Sequence, residues 1–155
     1  MKQEMTIDQI TYKINGCAMK VHNTLGNGFT HIFNWIFIGI RECFAFQEVI
    51  YQRCLAIELE RADLEFVREK EHIIFYEGID VDTRRADFVV EDKVIVELKA
   101  LINLEDVHLA QAKNYVVAYD FPIGLLINFG AVSLQFKKVF NKKYMDSNPA
   151  NPTIL

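Results

Sequence analysis

The sequence predicts an α/β (α+β) fold, a small mixed sheet flanked by helices in the order ααβββαββ. Two stretches of helical periodicity come first. Strand-like runs separated by short turns follow, and a third helical stretch interrupts them before the last two strands. At 155 residues, 51% apolar and 25% charged, the chain has the size and composition of one globular domain with its own core. That domain is expected over residues 1–144, with 145–155 as a flexible tail rich in Asn and Pro.

The elements follow in order. Thr6-Ile7-Asp8-Gln9 is a capping box, with Thr6 as N-cap and Gln9 three residues later. Ile7, Ile10, Ile14, Cys17, Val21 and Leu25 recur at helical spacing, and Gly26-Asn27-Gly28 stops that helix. A second helix is expected from about Gln47 to Ala62, with Ile50, Cys54, Ile57 and Leu59 as its apolar positions. Phe66 to Tyr76 reads as a long strand, turned by Glu77-Gly78. Arg85 to Val90 and Val94 to Ala100 read as two more. Asn103 is placed to cap a helix from Leu104 to about Tyr119, with Asp106 in its first turn. Gly124 to Phe129 reads as a buried strand and Leu134 to Phe140 as the last one.

Charge and cysteine content bound the function. The net charge is −4, so nucleic acid could be held only through a local basic patch, because phosphate neutralisation drives nonspecific binding. Arg84, Arg85, Lys93, Lys99 and Lys113 are candidates for it; Lys137, Lys138, Lys142 and Lys143 read as a solvated surface. Cys17, Cys43 and Cys54 are odd in number and fit no zinc spacing. They read as reduced thiols of a cytoplasmic protein. Met1-Lys2-Gln3-Glu4 leads into a polar helix rather than a signal peptide.

The most informative chemistry lies at Asp87, Glu97 and Lys99. Asp, a nine-residue gap, then Glu-x-Lys brings two carboxylates and an amine onto adjoining strands. Two hard oxygen ligands suit Mg²⁺ or Mn²⁺. An adjacent Lys can position or activate a water, or neutralise charge on a phosphate. Register decides whether the carboxylates meet. A two-residue turn at Glu91-Asp92 would send Asp87 and Glu97 to opposite faces. A three-residue loop, Glu91 to Lys93, pairs Val90 with Val94 and sets Asp87 opposite Glu97, about 5 Å apart at Cβ. The sequence predicts this odd-length loop or a bulge.

The strand order and the Asp, Glu-x-Lys pattern resemble the PD-(D/E)XK nuclease superfamily. Ala86 to Ala100 is similar to the hallmark of the bacterial GxxExxY family within it. So are Val21-His22 with Leu25-Gly26-Asn27-Gly28-Phe29, and Gly124-Leu125-Leu126-Ile127-Asn128-Phe129. The naming motif is interrupted: Gly28-Phe29 is separated from Gln47-Glu48-Val49-Ile50-Tyr51 by the 17 residues Thr30 to Phe46. That apolar insertion, residues 30–46, is too short to cross a bilayer, which needs about 20 apolar residues. It reads either as an added core-packing helix or strand or as an association surface for a protein partner or a second copy of the chain.

The resemblance implies a Mg²⁺- or Mn²⁺-dependent nuclease acting on nucleic acid. Asp87, Glu97 and the Leu98 carbonyl would hold the metal, and Lys99 would be the catalytic amine. Glu48 would add a carboxylate from the second helix. Gln111 and Tyr115, spaced i, i+4 on one helix face, resemble the Gln-x3-Tyr element of RecB-type nucleases and would meet substrate. Arg84 and Arg85 could meet phosphate oxygens. His22 and His108 are expected to be structural, and Tyr51 a core aromatic. The alternative is a non-catalytic binding or assembly module that keeps the fold and uses 30–46 as its interface.

Overall fold

The computed structural model describes residues 4–27 and 42–145, the side chains of 42–47 and 145 excepted. The insertion 30–46 therefore lies outside the described residues, save for the backbone of 42–46, and the tail beyond 145 lies outside them too.

Among the described residues nine elements follow one another: α1 (Ile7–Leu25), α2 (Glu42–Arg61), β1 (Phe66–Tyr76), β2 (Ile79–Val90), β3 (Val94–Lys99), α3 (Asp106–Ala118), β4 (Ile123–Asn128), β5 (Gln135–Phe140) and the short α4 (Lys142–Met145). Thr6 caps α1 with the expected box, its side chain accepting from the Gln9 N–H while Gln9 accepts from the Thr6 N–H. Gly26 ends that helix at φ 63°, a conformation open to glycine at no steric cost. α3 departs from expectation. Its N-cap is Glu105 rather than Asn103, and His108 Nδ1 accepts from the Glu105 N–H at 3.0 Å.

The five strands form one mixed sheet in the order β1-β2-β3-β4-β5. β3 and β4 run parallel, joined through α3, and every other pair is antiparallel. A parallel pair needs such a crossover, and it buries both faces of its strands. Val94 to Leu98 and all of β4 are accordingly buried. On one face α1 and α2 pack Ile10, Ile14, Tyr51, Leu55 and Leu59 against Phe88, Val96, Leu98 and Ile127. On the other, α3 packs Ala112, Val116 and Tyr119 against Val89, Ile95 and Leu126. Tyr51 stacks on Phe129 at 4.6 Å between centroids, which makes it the core aromatic it was expected to be.

Two further readings are corrected. α2 starts at Glu42, and its buried stripe is Tyr51, Leu55 and Leu59, with Ile57 48% exposed. The i, i+4 row Tyr51-Leu55-Leu59 carries the bulkier side chains, and so it takes the sheet. β2 begins at Ile79, well before Arg85, because its outer half pairs with β1 across a register shift at Ile74/Phe75. Arg84 therefore joins Arg85 in the strand, the two standing opposite His72 and Glu71.

Candidate active site

The hairpin register brings the site together. β2 and β3 pair as Phe88↔Val96, Val89↔Ile95 and Val90↔Val94, around the three-residue loop Glu91 to Lys93. Asp87 and Glu97 are the next positions in that register and share one side of the ribbon. There the ladder gives way to side chains. Asp87 Oδ2 accepts from the Leu98 N–H at 2.7 Å, and the Glu97 carboxylate takes the Asp87 N–H. Across β1 the ladder skips one position as well, at Glu69 opposite Asp87, where Glu69 stands at φ 50°. The two carboxylates thus occupy a gap that they themselves hold open between strands.

α2 reaches the same gap from its sheet-facing stripe. Gln52 donates to Asp87 Oδ1 at 2.6 Å. Glu48, one turn earlier, is half-buried and takes a hydrogen bond from the Ala100 backbone. The Glu48 carboxyl thus stands near the other two groups: it feels both Lys99 and Asp87.

The electrostatics record a crowd of acids held out of water. Burial, then the neighbouring Asp87 charge, pushes the Glu97 carboxyl up to about 9; Lys99 and the Asp87 N–H oppose it. Glu97 is only 5% exposed, and its Oε1 is a buried oxygen with no hydrogen-bond partner. Burial also raises Asp87, offset in part by the Leu98 N–H, Lys99 and Arg85, with Glu69 adding to the rise. Glu48 is raised by burial, with Lys99 pulling it back. Lys99 is thus the amine that faces all three carboxyls. An orphaned buried carboxylate oxygen costs several kcal/mol unless a proton or a cation satisfies it. Among the described residues no group of three or more His, Cys, Asp or Glu side chains is arranged to hold a metal ion.

α3 closes the other side. The Tyr115 hydroxyl is raised by burial and by the charges of Glu97 and Asp87, and it is hydrogen-bonded to Gln111. Gln111, Tyr115 and Arg84 line one pocket together. Arg84 is paired with Asp82 at 3.2 Å. Arg85 is exposed on β2, and its charge reaches Asp87. His22 is buried with Nε2 3.1 Å from the Ala131 carbonyl oxygen, and His108 serves the α3 terminus, so both are structural. Lys93, Lys138 and Lys143 pair with Glu4, Asp8 and Asp120 at the surface, away from these carboxylates.

Three supporting residues escaped the sequence reading. Gln52 orients Asp87; its signal was the i, i+4 spacing from Glu48. Asn128, a polar residue inside the apolar run of β4, is fully buried. Its Oδ1 accepts from the Leu101 N–H at 2.9 Å and its Nδ2 donates to the Leu101 carbonyl at 2.8 Å, fixing the chain just past Lys99. The Tyr119 hydroxyl accepts from the Ala86 N–H at 2.9 Å and reaches the Arg84 and Lys70 carbonyls, staples that hold β2 beside Asp87. Nothing in the sequence singled out Tyr119.

Comparison with known proteins adds the family. The model of the PD-(D/E)XK nuclease superfamily matches residues 41–139. Among solved structures, the crystal structure of SSO0001 is similar in fold, with a TM-score of 0.54 and 15% identity over 90% of this chain and 79% of that chain. At that identity the likeness extends to the fold alone. No curated protein matches the chain. No helix among the described residues is long and apolar enough to cross a membrane.

Proposed function

The chain belongs to the PD-(D/E)XK nuclease superfamily, and from that premise we propose that it is a divalent-metal-dependent nuclease hydrolysing phosphodiester bonds of nucleic acid. Within the superfamily, the motifs quoted above favour the GxxExxY branch. One observation carries the reading: the buried, unpartnered Oε1 of Glu97 beside Asp87, on strands that also present Lys99. An oxygen in that condition suits a hard cation, and two carboxylates with the Leu98 carbonyl make an oxygen donor set for Mg²⁺ or Mn²⁺. Bound there, such an ion supplies Lewis acidity toward phosphate and water.

The chain's own residues do the rest. Asp87 and Glu97 would hold the ion. Gln52 and the Leu98 N–H fix the Asp87 carboxylate in one orientation, so that little reorganisation is needed during reaction. Lys99, as its ammonium, would orient the attacking water and offset the charge developing on the phosphate; only in its neutral form would it take the water's proton. Glu48 offers a further carboxylate for a water or for the ion's outer shell. Gln111, Tyr115, Arg84 and Arg85 meet the nucleic acid.

A non-catalytic module is the second reading, and the net charge of −4, which leaves only a local basic patch for nucleic acid, favours it. Calorimetric titration of Mn²⁺ into the parent and Glu97→Ala separates the two. Binding by the parent that disappears in the variant, with metal-dependent cleavage that Lys99→Ala abolishes, is the expected result. A folded parent indifferent to Mn²⁺ would overturn the nuclease reading.

A further inference from the structure

Between the β1–β2 hairpin and α3 lies a pocket of about 240 Å³. Ile74, Asp82 and Arg84 line it from the hairpin, and Gln111, Asn114, Tyr115 and Ala118 from α3. Three kinds of surface meet there. Ile74, Ala118 and the Tyr115 ring offer flat apolar contact. The Arg84 guanidinium is steadied by Asp82 at its side. The amides of Gln111 and Asn114 each carry both donor and acceptor atoms. Gln111 is engaged with the Tyr115 hydroxyl, while Asn114 is exposed.

Size limits the occupant. The volume equals roughly eight water molecules of liquid and falls below the ~300 Å³ at which pockets for drug-sized ligands begin. One planar ring system fits such a volume. Stacking on aromatic and guanidinium planes, with amide contacts to ring edges, is how proteins hold unpaired bases. Tyr115 joins this pocket to the carboxylates, whose charge it feels.

We propose that the pocket seats one unpaired nucleobase of the substrate strand, next to the phosphate handled by Asp87, Glu97 and Lys99, with Asn114 contacting the base edge. The inference rests on the nuclease reading and deepens it. The substrate is then a single strand, a frayed end or a flap rather than continuous duplex.

The test uses a labelled single-stranded oligonucleotide with one abasic residue walked along it, in Mn²⁺, and a closed duplex of the same sequence. Cleavage by the parent should drop about tenfold at one fixed offset from the abasic residue, and the closed duplex should be cut at least tenfold more slowly. Asn114→Ala should raise KM with kcat little changed, and Ala118→Trp, which fills the pocket, should erase the offset effect. Circular dichroism checks the fold of Ala118→Trp; if it misfolds, the exposed Asn114→Ala alone decides. Cleavage without any offset effect, or as fast on closed duplex, would overturn the pocket and leave the nuclease reading standing. If nothing is cut, the nuclease reading fails, and fluorescence anisotropy with the same oligonucleotides decides the pocket. Binding weakened at one abasic position and by Asn114→Ala upholds it; no such weakening sinks it.

Discussion

Replacing Glu97 with Gln isolates the consequence of burying one carboxyl group among others. The unfolded chain releases this proton near 4.5, whereas the folded protein holds it up to about 9, chiefly through burial and then through the Asp87 charge. Between those values the folded state binds more protons than the unfolded one, so stability falls as pH rises through the window. Each pH unit is worth about 1.4 kcal/mol. At pH 7.5 the metal-free parent has therefore lost on the order of 4 kcal/mol relative to its value near pH 4.5. Gln keeps the shape of the side chain and cannot ionise. Urea unfolding in EDTA at pH 5 and pH 7.5 provides the assay. Glu97→Gln should match the parent at pH 5 and exceed it by at least about 2 kcal/mol at pH 7.5. Adding Mn²⁺ at pH 7.5 should stabilise the parent and leave Glu97→Gln unchanged, since a ligand that binds only the folded state shifts its apparent stability. Parallel pH slopes for the two proteins would refute the buried, proton-holding site, and a Mn²⁺ response equal in both would refute Glu97 as the ion's ligand.

Other residues give separate tests. Gln52→Ala leaves Asp87 Oδ1 without its 2.6 Å donor; kcat should fall about tenfold in a cleavage assay, with about 1–3 kcal/mol of stability lost in urea melts. A methyl group on Gly130 would collide with the Ala100 and Leu101 backbone just past Lys99, so Gly130→Ala should cost about 1–3 kcal/mol by thermal unfolding and lower Mn²⁺ affinity in the same sample. Tyr119→Phe removes the hydroxyl shared by the Ala86 N–H and the Arg84 carbonyl; amide exchange at Ala86 should speed up, while the far-UV spectrum stays that of the parent.

The hairpin geometry of the candidate site was legible in the sequence because sheet parity is strict. Side chains alternate with period two, so an odd loop at Glu91 to Lys93 was the arrangement that set Asp87 opposite Glu97, and the register bears it out. The lengths of several elements were less legible. The outer half of β2 is polar and exposed, and its strand character comes from backbone pairing with β1, which leaves little mark on composition. α2 carries two adjacent apolar stripes, and periodicity alone did not say which one the sheet would cover. The structure chose Tyr51-Leu55-Leu59, and that rotation is also what aims Gln52 at Asp87.

The sequence by itself determined the order of elements, the caps of α1 and the short-range pairing that joins Asp87 to Glu97, all interactions between residues close along the chain. The tertiary structure alone decided how far those carboxyls are removed from water and who supports them. Burial depends on α2 and α3 packing against opposite faces of one sheet, and no local pattern encodes the depth that pushes Glu97 up to about 9. Gln52 on Asp87, Asn128 on Leu101 and Tyr119 on Ala86 are contacts between residues 27 to 35 positions apart. Such contacts exist only once the chain has closed its loops, and they turn two carboxylates and an amine from a motif into a site.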